Sequence, residues 1–68
     1  MSKIIAQLNP ADIDMLTRLI DGFGHLGVVS TLDRQQGLVV IRGTEDTMPS
    51  LLEILQNLPF PLTVIAQE

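Results

Sequence analysis

From Gly27 to Gly43 the chain reads Gly-Val-Val-Ser-Thr-Leu-Asp-Arg-Gln-Gln-Gly-Leu-Val-Val-Ile-Arg-Gly, two runs rich in β-branched residues separated by a polar segment. Such runs fit the pleated surface of a sheet, and Gly37 supplies the left-handed backbone conformation that a longer hairpin turn needs. Pairing Leu32 with Leu38 sets the register. Thr31 then meets Val39 and Val29 meets Ile41 on one side, while Ser30 meets Val40 and Val28 meets Arg42 on the other. The first side is the more apolar and is the expected core side. An isolated hairpin is marginal in water, so the flanking segments must cover it.

Those segments form a near-symmetric pair. Ile4–Leu8 alternates as a strand, and Asn9-Pro10-Ala11-Asp12 then carries a helix start: Asn9 as N-cap, Pro10 with its preset φ and Asp12 at the positive end of the dipole. Ile13, Leu16, Ile20 and Phe23 recur at helical spacing, with Leu19 beside them, so one amphipathic helix runs from about Pro10 to Phe23. Asp14 and Arg18, four apart, are placed to pair on its surface. Gly22 and Gly24 end it. After the hairpin, Thr44, Asp46 or Thr47 can cap a second helix. Leu51, Ile54, Leu55 and Leu58 form its stripe, Met48 and Leu52 its flanks, and Leu58-Pro59-Phe60-Pro61 stops it. Leu62–Ala66 closes the chain as a fourth strand.

The order strand, helix, strand, strand, helix, strand over residues 1–68, with no linker, describes a single α+β domain. Two right-handed split βαβ units give a ferredoxin-like sandwich: a four-stranded antiparallel sheet in the order 4-1-3-2, with both helices on one face. Ile4, Ala6, Leu8, Val29, Thr31, Val39, Ile41, Leu62, Val64 and Ala66 are expected to face the helices. Ile5, Gln7, Val28, Ser30, Leu38, Val40, Arg42, Thr63 and Ile65 remain on the other face, and five of these nine are large aliphatics. A sheet face that met only water would alternate to polar residues. A chain this short buries only roughly 60% of its unfolded surface, so a second subunit is a natural source of added stability. A homodimer is expected, by edge pairing or through the open face, with Ile5, Val28, Ser30, Val40, Arg42 and Ile65 as its interface.

Little in the sequence spells out chemistry. There is no cysteine and one histidine, His25, so a metal site lacks converging ligands. The glycines Gly22, Gly24 and Gly27 follow a helix rather than a strand, the reverse of a phosphate-binding loop, and no nucleophile elbow is present. No catalytic residue, metal or cofactor is expected, and the protein is read as a non-enzyme. The net charge of −4, the four scattered Lys and Arg residues and the scarcity of aromatics exclude a nucleic-acid surface. No apolar run reaches membrane-spanning length, the first eight residues are too short an apolar run for a signal peptide, and a cytoplasmic location is expected. The one ligand site suggested by local chemistry is the turn Asn9, Pro10, Ala11 and Asp12, whose backbone N–H groups could receive a small carboxylate.

Asp12-Ile13, Leu16, Ile20, Gly24, Gly27, the Thr31-Leu32-Asp33 corner with Gly37, and the Leu51, Leu52, Leu55 and Leu58 stripe together resemble an ACT-like domain, and more closely a small bacterial domain family of uncharacterised function. The resemblance implies a regulatory homodimer that binds an amino acid or related effector at the first strand–helix turn or at the subunit interface. ACT domains usually carry a glycine after the proline of that turn, where this chain has Pro10-Ala11. Metal-binding ferredoxin-like domains carry Cys-x-x-Cys and RNA-binding ones carry aromatics on the central strands. This chain has neither. The expected function is therefore a non-catalytic metabolite-binding module. The alternative is an adaptor that docks a protein partner through the open sheet face or its acidic helices.

Overall fold

The hairpin is present and central. The computed structural model describes residues 2–68 and orders them as β1 (Ser2–Leu8), α1 (Ile13–Gly22), β2 (Val28–Asp33), β3 (Leu38–Gly43), α2 (Met48–Gln56) and β4 (Leu62–Gln67). All strand pairs are antiparallel, and the sheet runs β2-β3-β1-β4, the expected 4-1-3-2 order read from the other edge. Strand residues Ile4, Ala6, Leu8, Val39 and Ile41 share one core with Ile13, Leu16 and Ile20 of α1 and with Met48, Leu51 and Leu55 of α2. Both helices therefore cover the same face, and the fold is the α+β ferredoxin-like sandwich.

Local chemistry accounts for where the elements begin and end. Proline at the first position suits a tight turn, so Pro10–Asp12 forms a single 3-10 turn and regular α-helix starts only at Ile13. Gly22 stays helical, and the chain reverses at Gly24, whose φ is +83°. Phe23 thus falls at the helix end and not on the core stripe, and it is 55% exposed. Thr44 and Thr47 brace the entry to α2, with Thr44 N–H donating to Thr47 Oγ1 at 2.9 Å and Thr47 N–H to Thr44 Oγ1 at 3.3 Å. This entry turns Met48 inward, from the flank expected for it into the core. At the other end Asn57 Nδ2 donates to the Glu53 carbonyl at 2.8 Å, which takes up an acceptor that the last turn would otherwise leave open.

Register departs from expectation at two bulges. Thr31↔Val39, Ser30↔Val40, Val29↔Ile41 and Val28↔Arg42 pair as expected, but Asp33 rather than Leu32 is the partner of Leu38. Leu32 is the extra residue, so Leu32 and Asp33 together oppose Leu38. In β4 the ladder shifts between Ile5 and Ala6 of its partner strand: Val64 pairs with Ala6 and Ala66 with Ile5, leaving Ile65 as the extra residue. Ala66 therefore belongs to the open face and not to the helix side, because one inserted residue reverses the parity of every residue beyond it. Both inserted residues, Leu32 and Ile65, are exposed aliphatics on edge strands.

Candidate functional site

The turn at Asn9–Asp12 spends the N–H groups of Ala11 and Asp12 internally. Asn9 Oδ1 accepts from Ala11 N–H at 2.9 Å, the Asn9 carbonyl accepts from Asp12 N–H at 2.8 Å, the Pro10 carbonyl accepts from Ile13 N–H, and Pro10 has no N–H to give. The Asp12 carboxylate makes no capping bond. The same end of the molecule is strapped to the hairpin tip. Leu8 N–H donates to the Gly37 carbonyl at 3.0 Å, Gln7 Nε2 donates to the Gln36 carbonyl at 2.9 Å, and Asp14 pairs at 3.7 Å with Arg34 of the tip, where Arg18 had been expected as its partner. These bonds make the turn a structural junction. Asn9→Ala is expected to lower stability by about 1 kcal/mol, with Asn9→Asp close to wild type, read from urea unfolding midpoints.

The opposite end is more open. The loop after α1 and the loop after β3 enclose a cleft of about 520 Å³, lined among others by Asp21, His25, Val28, Arg42 and Thr44. Asp21, His25 and Arg42 are all exposed members of this lining, and the Arg42 guanidinium, which donates to Ser30 Oγ on the open face, belongs to a long side chain rooted at the rim of the cleft. Nothing in the order of the chain brings Asp21 to Arg42; the pairing of β2 with β3 does. Among the described residues no group of three or more His, Cys, Asp or Glu is placed to hold a metal ion, and no helix is long and apolar enough to cross a membrane. A second concavity, about 610 Å³, lies between the helices and is lined by Leu19, Phe23, Ile54, Leu58 and Pro59 with Glu53 at its side.

A family model matches residues 6–61, from the middle of β1 to the proline before β4, and its description is Domain of unknown function (DUF4911). The chain belongs to the DUF4911 family. No curated protein and no solved structure matches it. The matched span contains both helices, the hairpin, the Asn9–Asp12 turn and the whole lining of the Asp21–Arg42 cleft. Membership in a family of unknown function assigns no activity, so the open face of this DUF4911 domain has to be read from its own chemistry.

Three ranks of residues cross that face. Val28, Arg42, Lys3 and Glu68 form one end, Ser30, Val40, Ile5 and Ala66 the middle, and Asp33, Leu38, Gln7 and Thr63 the other end. Of the expected interface residues, Val28 and Ile65 are strongly exposed, Ile5 and Ser30 half-buried, and Val40 only 2% exposed although no helix covers it. Val40 lies on a central strand opposite Ser30, whose Oγ accepts from Arg42 Nη1 at 3.3 Å. Lys3, Asp33 and Glu68 are charged members of the face that the sequence reading missed. Lys3 was legible from its spacing to Ile5, whereas Asp33 and Glu68 take their places only through the bulges.

Proposed function

We propose that this DUF4911 domain is a non-catalytic, homodimeric binding module that associates through the open face of its sheet and holds a small polar metabolite in the cleft at the rim of that face. The observation that carries this reading is the continuity of the two features. Val28 and Arg42 belong both to the end rank of the open face and to the wall of the cleft. A molecule seated there would lie beside the subunit interface. Arg42 offers a guanidinium to a carboxylate and Asp21 a carboxylate to an ammonium, which suits the amino-acid class. This site has the ACT-like logic of an effector bound where two subunits meet, transferred from the Asn9–Asp12 turn, where the N–H groups of Ala11, Asp12 and Ile13 already have acceptors within the turn.

The expected result is a dimer by sedimentation at micromolar concentration, with a melting temperature raised about 10 °C or more by a saturating amino acid of the right kind. A monomer, or a panel of amino acids with no thermal effect on the dimer, would remove the corresponding half of the reading. Ile5→Lys, which places a cation in the middle rank, should give a folded monomer.

A second reading rests on the groove between the helices. Phe23 is 55% exposed beside Leu19, Ile54 and Leu58, the kind of aromatic anchor site that a protein partner fills. On this reading the dimer is an adaptor whose helical layer faces outward. Phe23→Ser would then leave dimer and fold intact and abolish partner binding.

A further inference from the structure

The charge on this molecule is divided unevenly between its two layers. The open face carries Lys3 and Arg42 against Asp33 and Glu68, which cancel, so the net charge of −4 lies wholly on the helical layer and its loops. Two copies that approach helix to helix repel, and two that approach sheet to sheet do not. Within the sheet face the charge is again uneven. The end rank containing Arg42, Lys3 and Glu68 is net +1, with Lys3 Nζ already 3.5 Å from Glu68 Oε1, and the opposite rank carries only the negative charge of Asp33. Along the strands the face is a dipole.

The geometry points to one dimer: two copies of this chain packed open face to open face about a two-fold axis that runs across the strands, so that Arg42 approaches the partner's Asp33 at both ends. The inference rests on the homodimer reading above and specifies its orientation. In the aligned class of sheet packing the strands of the two sheets stay within about 30° of each other, and an aligned pair has two candidate axes in the plane of the face. An axis along the strands sets each rank on itself, bringing Arg42 over the partner's Lys3, positive end on positive end. An axis across the strands sets each strand on its own copy and each end rank on its opposite. The positive end then meets the negative end, twice by symmetry.

The apolar pattern selects the same axis. Val28 is 63% exposed and Leu32 55% exposed, and they stand at opposite ends of β2. With β2 over the partner's β2, each Val28 comes to the end of the partner's β2 where Leu32 and Asp33 together oppose Leu38, so the partner's Leu32 lies within its reach and Arg42 of the neighbouring strand lies beside that Asp33. With β2 over the partner's β4, Val28 would meet Glu68 instead. The inserted residue in β2 thus supplies the aliphatic group that the pairing requires.

Two charge reversals test the orientation in the full-length protein by sedimentation. Asp33→Lys gives up the bond that Asp33 Oδ1 accepts from Gln36 N–H at 3.2 Å, and Arg42→Glu the bond to Ser30 Oγ, but both side chains are exposed, so each variant should stay folded by circular dichroism with a cooperative melt at a slightly lower temperature. Each alone is expected to weaken the dimer about tenfold, since two rim pairs become repulsive. Mixing the two variant chains in equal amounts should restore wild-type affinity in the heterodimer, where both cross-subunit pairs are again of opposite sign. If Arg42→Glu instead tightens the dimer, Arg42 lies over the partner's Lys3 and the other axis holds. If neither reversal matters and mixing changes nothing, while Ile5→Lys still yields a monomer, the face is right and the proposed orientation is wrong. A wild-type monomer, or a dimer untouched by Ile5→Lys, would overturn the face itself.

Discussion

Gly37→Ala is expected to destabilise this domain by about 3–5 kcal/mol, enough to leave much of it unfolded, because a chain of this length has only roughly 3–10 kcal/mol to lose. Gly37 has a φ of +69° and is buried, and it closes the hairpin turn with its N–H donating to the Arg34 carbonyl at 3.2 Å. Its own carbonyl accepts from Leu8 N–H, which ties the turn to the end of β1. A Cβ added there would run into the Leu8 carbonyl group, backbone against backbone, so no flexible side chain can yield. Relief requires separating the hairpin tip from β1, and with it the Gln7–Gln36 and Asp14–Arg34 pairs. Gly24→Ala is the matched control. Gly24 has a φ of +83° but open space around its Cβ position, so only the conformational penalty of about 1–2 kcal/mol applies. Urea unfolding of the two variants should separate the contributions of strain and collision.

Whether a feature is legible in the chain depends on whether the physical rule behind it is local. Alternation and helical spacing are local, so the six elements, the strand order and ten of the eleven core residues can be read from them, with Met48 assigned only to a flank. The Asn9 cap is also local, a side chain bonding two residues on. The bulges at Leu32 and Ile65 are not, because an inserted residue is set by how the partner strand runs, and neither carries a glycine to announce it. One unseen insertion moved Ala66 across the sheet, and the other brought Asp33 onto the open face. The same limit applied to the site. The apolar excess of the open face was legible from parity, but the dipole along it needed Asp33 and Glu68 in place. The cleft needed Asp21 from the end of α1 to meet Arg42 from β3, twenty-one residues on and visible only once the sheet is assembled.

The two ends of the hairpin also pack closely beneath α2, and there a second large effect is expected. Leu51 is fully buried, and its methyl groups sit over Gly27 and Gly43. A Cβ on Gly43 would stand 2.8 Å from Leu51 Cδ1, 2.6 Å from Thr47 Oγ1 and 3.0 Å from the Leu26 carbonyl, so the glycine makes the room that the leucine fills. Leu51→Ala removes this filling and leaves a cavity, at a cost of about 2–5 kcal/mol. Gly43→Ala overfills the same space, at a cost of about 1–3 kcal/mol. Because each change relieves part of the other, the double variant should be more stable than the sum of the two losses allows, by about 1 kcal/mol in a double-mutant cycle. Strict additivity would mean that the contact with Leu26 and Thr47, rather than the fit to Leu51, excludes a side chain at position 43. The outcome also bears on function: β3 carries Arg42 on its other face, one residue before Gly43, so a shift of the strand to accommodate a methyl group would move the guanidinium relative to Asp21. On the proposed reading, a Gly43→Ala chain that remains folded should therefore lose stabilisation by an amino acid before it loses self-association.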